Sequence, residues 1–212
     1  VVQTAYANGA STRYIVHTLK LQTEVTPTGV KHLHKAAEAF DVGVYFEANG
    51  HGTVLFKDTF MAAVNEACKR LPSPPHPKGS SAEALLKLQA LGDVINQAVG
   101  DALSGVLVVE AILSINGWSL MDWAALYKDL PSRQLKVKVA DRAAIETMNA
   151  ETCVKAPAAL QPLIDQAVAG YESGRSFVRP SGTEDVVRVY AEAATQEQAD
   201  ELALVVARHV HR

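Results

Sequence analysis

Phe177-Val178-Arg179-Pro180-Ser181-Gly182-Thr183-Glu184-Asp185-Val186-Val187-Arg188-Val189-Tyr190 is the stretch on which the reading of this sequence turns. Phe177-Val178 is a short apolar entry, and the run from Asp185 to Ala193 is rich in Val and Tyr, so both flanks read as strands. Arg179-Pro180-Ser181-Gly182-Thr183 between them is a turn by composition. Each turn residue also suits a phosphate. Arg179 offers a planar fork of donors that matches two phosphate oxygens. Ser181 and Thr183 add hydroxyls, and Gly182 removes the Cβ that would keep backbone N–H groups away from an anion. Pro180 stiffens the approach. Arg188 sits in the apolar second strand, where a charge needs a partner. The same composition also fits a plain β-turn between two surface arginines.

Around this stretch a strand from Gln134 to Val139, a helix from about Leu160 to Tyr171 and a last helix from Gln196 to His209 make a small α+β unit. Asp129-Leu130-Pro131-Ser132, short and polar, marks its start. Upstream the pattern is different. Residues 1–7 read as a strand that stops at Asn8-Gly9, and Ser11 or Thr12 can cap a helix running to Leu19. A short strand at Leu21–Val25 is followed by a helix from Val30 to Phe40, with Val30, Leu33, Ala37 and Phe40 at helical spacing. Strands at Asp41–Ala48 and Thr53–Phe56 come next. Helices follow at Asp58–Arg70, Ser81–Val99 and Asp101–Ile115, and a last one is capped by Ser119, with Trp118 and Trp123 as packing residues. A proline-rich loop, Leu71 to Gly79, carries no chemistry that its residues identify. The fold class expected is α/β. A mainly parallel, layered α/β domain (residues 1–129) precedes a small α+β domain (residues 130–212).

A second group of polar residues, Glu47-Ala48-Asn49-Gly50-His51-Gly52, falls where a strand gives way to a loop, a position at which ligands bind in α/β sheets. Glu47 can accept hydrogen bonds from two hydroxyls, Asn49 can donate and accept, and the glycines leave room for a ring. These groups suit a sugar. A glycine-rich hairpin with an incidental acid fits equally well. His32 and His34 invite a metal reading, but no third ligand lies near them and side chains two apart on a helix diverge.

The bulk properties exclude several classes. Of the 212 residues 48% are hydrophobic and 20% charged, normal for a globular protein. A net charge of -3, with the 20 basic residues scattered, gives no nucleic-acid surface. The longest apolar run is broken by Glu110 and is too short to span a membrane, and no signal peptide is visible. Cys68 and Cys153 lack a CxxC spacing and read as reduced structural thiols of a cytoplasmic chain. The sequence opens on Val1, not Met, in what reads as a strand, so a piece of a longer protein is expected.

The run from Arg179 to Ala193 resembles the phosphate-binding loop of the α-D-phosphohexomutase superfamily. Glu47-Ala48-Asn49-Gly50-His51-Gly52 resembles the sugar-binding loop of its phosphoacetylglucosamine mutase branch. Relatives acting on glucose or mannose phosphates tend to carry a Gly-Glu-Met-Ser type of loop there. Thr26-Pro27-Thr28-Gly29-Val30-Lys31 is similar to a substrate-reaching loop of the superfamily. The resemblance covers essentially the whole chain and implies the third and fourth of four domains. It implies phosphate contacts at Arg179, Ser181, Gly182, Thr183 and Arg188, and sugar contacts at Glu47, Asn49, His51 and Lys31, with His32 weaker. It further implies interconversion of N-acetylglucosamine 6-phosphate and 1-phosphate through a phosphoserine, with Mg²⁺ and a glucose or N-acetylglucosamine bisphosphate as activator and intermediate. The family's Thr-Ala-Ser-His-Asn serine loop and its Asp-Gly-Asp-Ala-Asp-Arg metal loop do not occur in these residues. No catalytic residue and no metal ligand is therefore expected in this chain. The partners expected are the phosphosugar and the missing N-terminal domains. A stand-alone phosphosugar-binding module and a mutase for another hexose phosphate remain alternatives.

Overall fold

The computed structural model describes residues 1–211. In chain order the first elements are β1 (Val2–Thr4), α1 (Gly9–Arg13, continued by a π-helical turn at Tyr14–Thr18), β2 (Glu24–Thr26), α2 (Val30–Ala37), β3 (Val42–Phe46) and β4 (Gly52–Phe56). Helices α3 (Asp58–Lys69), α4 (Ser81–Val94), α5 (Ala102–Asn116) and α6 (Leu120–Ala124) follow. Then come β5 (Ser132–Lys138), β6 (Glu146–Met148), β7 (Cys153–Ala156), α7 (Leu160–Val168), β8 (Arg175–Pro180), β9 (Val186–Glu192) and α8 (Gln196–His211). Contacts divide the chain into two units, Val1–Val2 with Val30–Leu126, and Gln3–Gly29 with the residues from Tyr127 on. Sequence pattern alone assigns residues 3–29 to the first domain. Packing groups them with the C-terminal residues instead.

In the first unit Leu33 and Ala37 of α2 pack with Val2, Tyr45 and Leu55 in a buried cluster. β1 pairs in parallel with β3 at Val2 and Tyr45, whereas β3 and β4 are antiparallel over five residue pairs. The sheet is thus mixed, because so short a link as 47–51 can join only antiparallel neighbours. Capping sets several helix ends. Ser80 accepts the Glu83 N–H, Asp101 accepts the Leu103 N–H, and Ser119 and Asp122 form a capping box at α6. The helical pattern extends α4 to Val99, yet it ends at Val94. The Asn96 side chain accepts the N–H groups of Ala98 and Val99 at 3.0 and 3.3 Å, offering the backbone a turn in place of helix. The freed segment braces β4, since the Asn96 carbonyl accepts from Thr53 Oγ1 at 2.6 Å and Gln97 accepts the Phe56 N–H at 2.8 Å. Trp118, expected to pack, is 38% exposed.

In the second unit β5, β9 and β8 form an antiparallel sheet in that order. One face, with Val178, Val187, Val189 and Ala191, is buried against Ile164 of α7 and Leu202, Ala203 and Val206 of α8. The opposite face carries Arg175, Phe177, Tyr190 and Glu192 and is covered by residues 5–9. Phe177 and Tyr190 stack at 5.1 Å, and Tyr6 meets both edge-on. Glu192, 1% exposed, accepts both Arg175 Nε and Nη2 at 2.9 Å, the Tyr190 hydroxyl at 2.7 Å and the Gly9 N–H at 3.1 Å. Arg175 also donates to the carbonyls of Ala5 and Ala7 at 2.8 and 2.7 Å. A Cβ at Gly9 would sit 2.2 Å from Glu192 Oε1, so only glycine allows this approach. Asn8 caps α1, where the sequence offered Ser11 or Thr12, and exchanges hydrogen bonds with Leu130 at 2.9 and 3.1 Å. The β6–β7 hairpin has no counterpart in the sequence reading, because both strands are short and neither alternates cleanly.

Cys68 and Cys153 are free. Among the described residues no helix is long and apolar enough to cross a membrane.

Burial alone would raise the Glu192 carboxyl, but its bonds from Arg175, Tyr190 and Gly9 hold it below the ordinary value. A depressed folded value means that the stabilisation is complete at neutral pH and is lost as pH falls through that value. Glu192→Ala should therefore lose about 3–5 kcal/mol in urea unfolding at neutral pH, the cost of stranding a buried charge. The gap between variant and wild type should narrow on acidification. A gap that stays constant with pH would exclude the carboxylate as its source.

Candidate functional site

β8 ends at Pro180 and β9 begins at Val186, so residues 181–185 form the turn. The Ser181 N–H donates to the Val186 carbonyl at 2.9 Å, and the Val186 N–H donates to the Glu184 carbonyl at 2.8 Å. Ser181 is buried, and its Oγ accepts the N–H groups of Thr183 and Glu184, both at 3.3 Å. It shapes the turn and keeps its own O–H free to donate. Gly182 and Thr183 are exposed at the tip, and a Cβ built at Gly182 would meet nothing within 4 Å.

Antiparallel register sets Arg179 directly opposite Arg188, and Arg188 directly opposite Lys136 of β5. Directly paired residues share a face, so three cations lie in a row across three strands beside the turn. Lys136 has Glu184 at 3.7 Å and Arg179 has Glu151 at 2.9 Å. Arg188 has no carboxylate within ion-pair distance among the described residues. Its charge, which the apolar strand seemed to require a partner for, is not met by an ion pair there. An anion bridging Arg179 and Arg188 would relieve their repulsion.

Arg179 is held from behind. Its Nε lies 2.9 Å from Glu151 Oε1, although the N–H is not aimed at that oxygen, so the contact is an ion pair and not an aligned hydrogen bond. Glu151 Oε2 accepts the Thr28 N–H at 2.9 Å and the Thr28 hydroxyl at 2.6 Å. Burial would raise the Glu151 carboxyl, but Thr28 and Arg179 together keep it below the ordinary value. Tyr6 packs close by, its phenol raised by burial against the pull of Arg179. No sequence signal pointed to Glu151, which stands in the unforeseen β6–β7 turn. Asn149, Ala150 and Glu151 there all have positive φ, at 50°, 55° and 67°, which costs on the order of 1 kcal/mol for a residue with a Cβ.

In the first unit, Glu47 to His51 make a tight link. The Glu47 N–H donates to the His51 carbonyl at 2.8 Å, the Gly50 N–H to the Glu47 carbonyl at 2.9 Å, and Gly50 has φ +87°. Asn49 is occupied in this turn. Its Oδ1 accepts the His51 N–H at 2.8 Å and its Nδ2 reaches Glu47 Oε2 at 3.3 Å. His51 and Lys31 line one cavity of about 510 Å³ with His34, Tyr45 and Gly100; Glu47, Asn49 and His32 do not line it. His34 Nδ1 lies 3.1 Å from the Tyr45 hydroxyl. Among the described residues no three His, Cys, Asp or Glu gather as a metal-binding group.

A family model described as phosphoacetylglucosamine mutase AMG1, domain III, matches residues 1–118. The chain belongs to the phosphoacetylglucosamine mutase family. A second model, phosphoglucomutase/phosphomannomutase, C-terminal domain, matches residues 135–209. The phosphoacetylglucosamine mutase of Oryza sativa subsp. japonica is 57% identical over 213 residues, which cover 100% of this chain and 37% of that protein. The crystal structure of Aspergillus fumigatus N-acetylphosphoglucosamine mutase in complex with GlcNAc-6P and magnesium superposes with a TM-score of 0.89 at 51% identity, over 100% of this chain and 41% of that one. A variant of the A. fumigatus enzyme in complex with glucose 1,6-bisphosphate superposes at 0.87 and 52% identity, over 99% and 38%. The chain thus spans well under half the length of these phosphoacetylglucosamine mutases.

Two stability effects should follow from this geometry. Arg188→Gln removes the middle one of three facing cations and should raise the unfolding free energy by roughly 0.2–1 kcal/mol in low-salt urea titrations, less at high salt. Asn49→Ala should lose about 1 kcal/mol with the turn's hydrogen bonds, and hydrogen exchange at the His51 amide should quicken.

Proposed function

We propose that this chain is the substrate-recognising part of a phosphoacetylglucosamine mutase, which interconverts N-acetylglucosamine 6-phosphate and 1-phosphate on the route to UDP-N-acetylglucosamine. In this reading residues 1–129 are the sugar-binding domain and residues 130–212 the phosphate-binding domain. The observation that carries it is the facing pair Arg179 and Arg188 at the mouth of the 181–185 turn, with no carboxylate in ion-pair reach of Arg188 among the described residues. Those two side chains, the Ser181 and Thr183 hydroxyls and the open tip at Gly182 receive the substrate's phosphate. Glu47 takes ring hydroxyls, Asn49 holds the turn that presents it, and Lys31 and His51 close on the sugar from their shared cavity.

The reaction passes through a bisphosphate, so the sugar binds in two flipped orientations. A phosphate site of this kind serves whichever end is not reacting. The relatives' complexes with magnesium and with glucose 1,6-bisphosphate support the same requirements for the whole enzyme. Magnesium, when bound, offsets negative charge at the transferring phosphoryl group. In this reading the ion and the reactive serine belong to parts of the longer enzyme that this chain does not match. Two free thiols suit a cytoplasmic setting.

Calorimetric titration with N-acetylglucosamine 6-phosphate and glucose 6-phosphate tests the reading. Saturable binding that favours the acetamido sugar is expected. Arg179→Ala should weaken it by about 1.5–3 kcal/mol, the value of a charge-assisted contact. Glu47→Ala should weaken the sugar phosphate but leave inorganic phosphate alone. An unchanged dissociation constant in Arg179→Ala would remove the phosphate loop from the site.

A further inference from the structure

Glu151 belongs to neither sequence motif, yet it joins them. One carboxylate oxygen meets Arg179 of the phosphate turn and the other is held twice by Thr28, just ahead of Lys31. The two ends of this bridge differ in rigidity. Thr28 fixes the carboxylate through a backbone and a hydroxyl donor, and the left-handed run Asn149–Glu151 fixes its backbone. Arg179 is a long side chain with four rotatable bonds, and Glu151 is its one ion-pair partner among the described residues. The contact engages the Nε end of the guanidinium. The Nη1 and Nη2 atoms donate to no described residue and are not among the buried unpartnered atoms, so they reach solvent.

We propose that Glu151 is a positioning residue for phosphate recognition, which holds Arg179 by its Nε end so that the Nη1–Nη2 edge is presented to the phosphate already ordered. The inference rests on the reading of Arg179 as a phosphate contact. Two effects of the carboxylate oppose each other. Its negative charge lowers the local potential and by itself weakens anion binding. Its grip on Arg179 removes the entropy lost in ordering a flexible side chain, which strengthens binding. The 2.9 Å contact and the double anchor at Thr28 make the second effect the larger. The other charged or titratable groups facing Arg179 are Arg188 across the sheet, which repels it, and Tyr6, whose buried neutral hydroxyl lies close to the guanidinium without an aligned hydrogen bond and brings no charge to hold it.

The sign of one substitution decides the matter. Inorganic phosphate and N-acetylglucosamine 6-phosphate are titrated at neutral pH into the wild-type chain, Glu151→Gln and Glu151→Ala. Positioning predicts weaker binding despite the lost negative charge, about 10-fold for Ala and less for Gln, which can keep one bond. The Arg179 Nε–Hε resonance, sharp in the unliganded wild type, should broaden or vanish in Glu151→Ala. Thr28→Val leaves both charges in place and loosens only the anchor. It should weaken phosphate binding about 2- to 3-fold, and it serves if the Glu151 variants do not fold. Variants that bind phosphate as tightly as wild type, or more tightly, would overturn the assignment while leaving Arg179 in the site. A wild-type chain that binds neither ligand would overturn the reading beneath it, and the assignment with it.

Discussion

Glu192 is a carboxylate taken almost wholly out of water, and the second unit depends on how that charge is met. Desolvating such an ion costs several kcal/mol unless hydrogen bonds replace its hydration. Arg175 supplies two, Tyr190 one and the Gly9 backbone another. Arg175 in turn donates to the carbonyls of Ala5 and Ala7. Neither ion is satisfied by the sheet alone. Both need residues 5–9 laid across it, which is why an N-terminal segment joins a C-terminal unit more than 160 positions away. The same segment brings Tyr6 against Phe177 and Tyr190 and beside Arg179.

Three arginines on one sheet face thereby acquire different meanings. Arg175 has all three nitrogens engaged and a buried acid against it, so it is part of the framework. Arg179, four residues on along the same strand, is engaged at Nε only. Arg188, directly across from Arg179, has no acid within ion-pair distance among the described residues. The charge on this face runs from neutral at the Arg175–Glu192 end to positive at the turn, with Lys136 extending the row. Facing cations beside a turn with exposed Gly182 and Thr183 cost the fold some stability, which an anion bound between them would restore.

Much of this was legible from residue types alone. Strand–turn–strand around Arg179, the capping by Ser119, the span of α8 and the hairpin character of residues 47–52 follow from composition and short-range periodicity, because each depends on neighbours a few positions apart. The failures share a cause. Asn8 caps α1 in place of Ser11 or Thr12 because its carboxamide also bonds Leu130. α4 stops at Val94 because Asn96 and Gln97 turn to brace β4. Glu151 escaped notice because its meaning lies in Thr28 and Arg179, 123 and 28 positions away.

The sequence by itself determined the local chemistry of this protein: which turn can receive a phosphate, which loop carries groups for a sugar, and which family those motifs resemble. Only the tertiary structure decided which arginine is framework and which is free, that Asn49 is spent on its own turn, and that Glu151 holds Arg179. A side chain's type is written in the chain. Its remaining hydrogen-bonding capacity is set by what folding brings within about 3 Å of it, and long-range contact leaves no periodic trace in a single sequence.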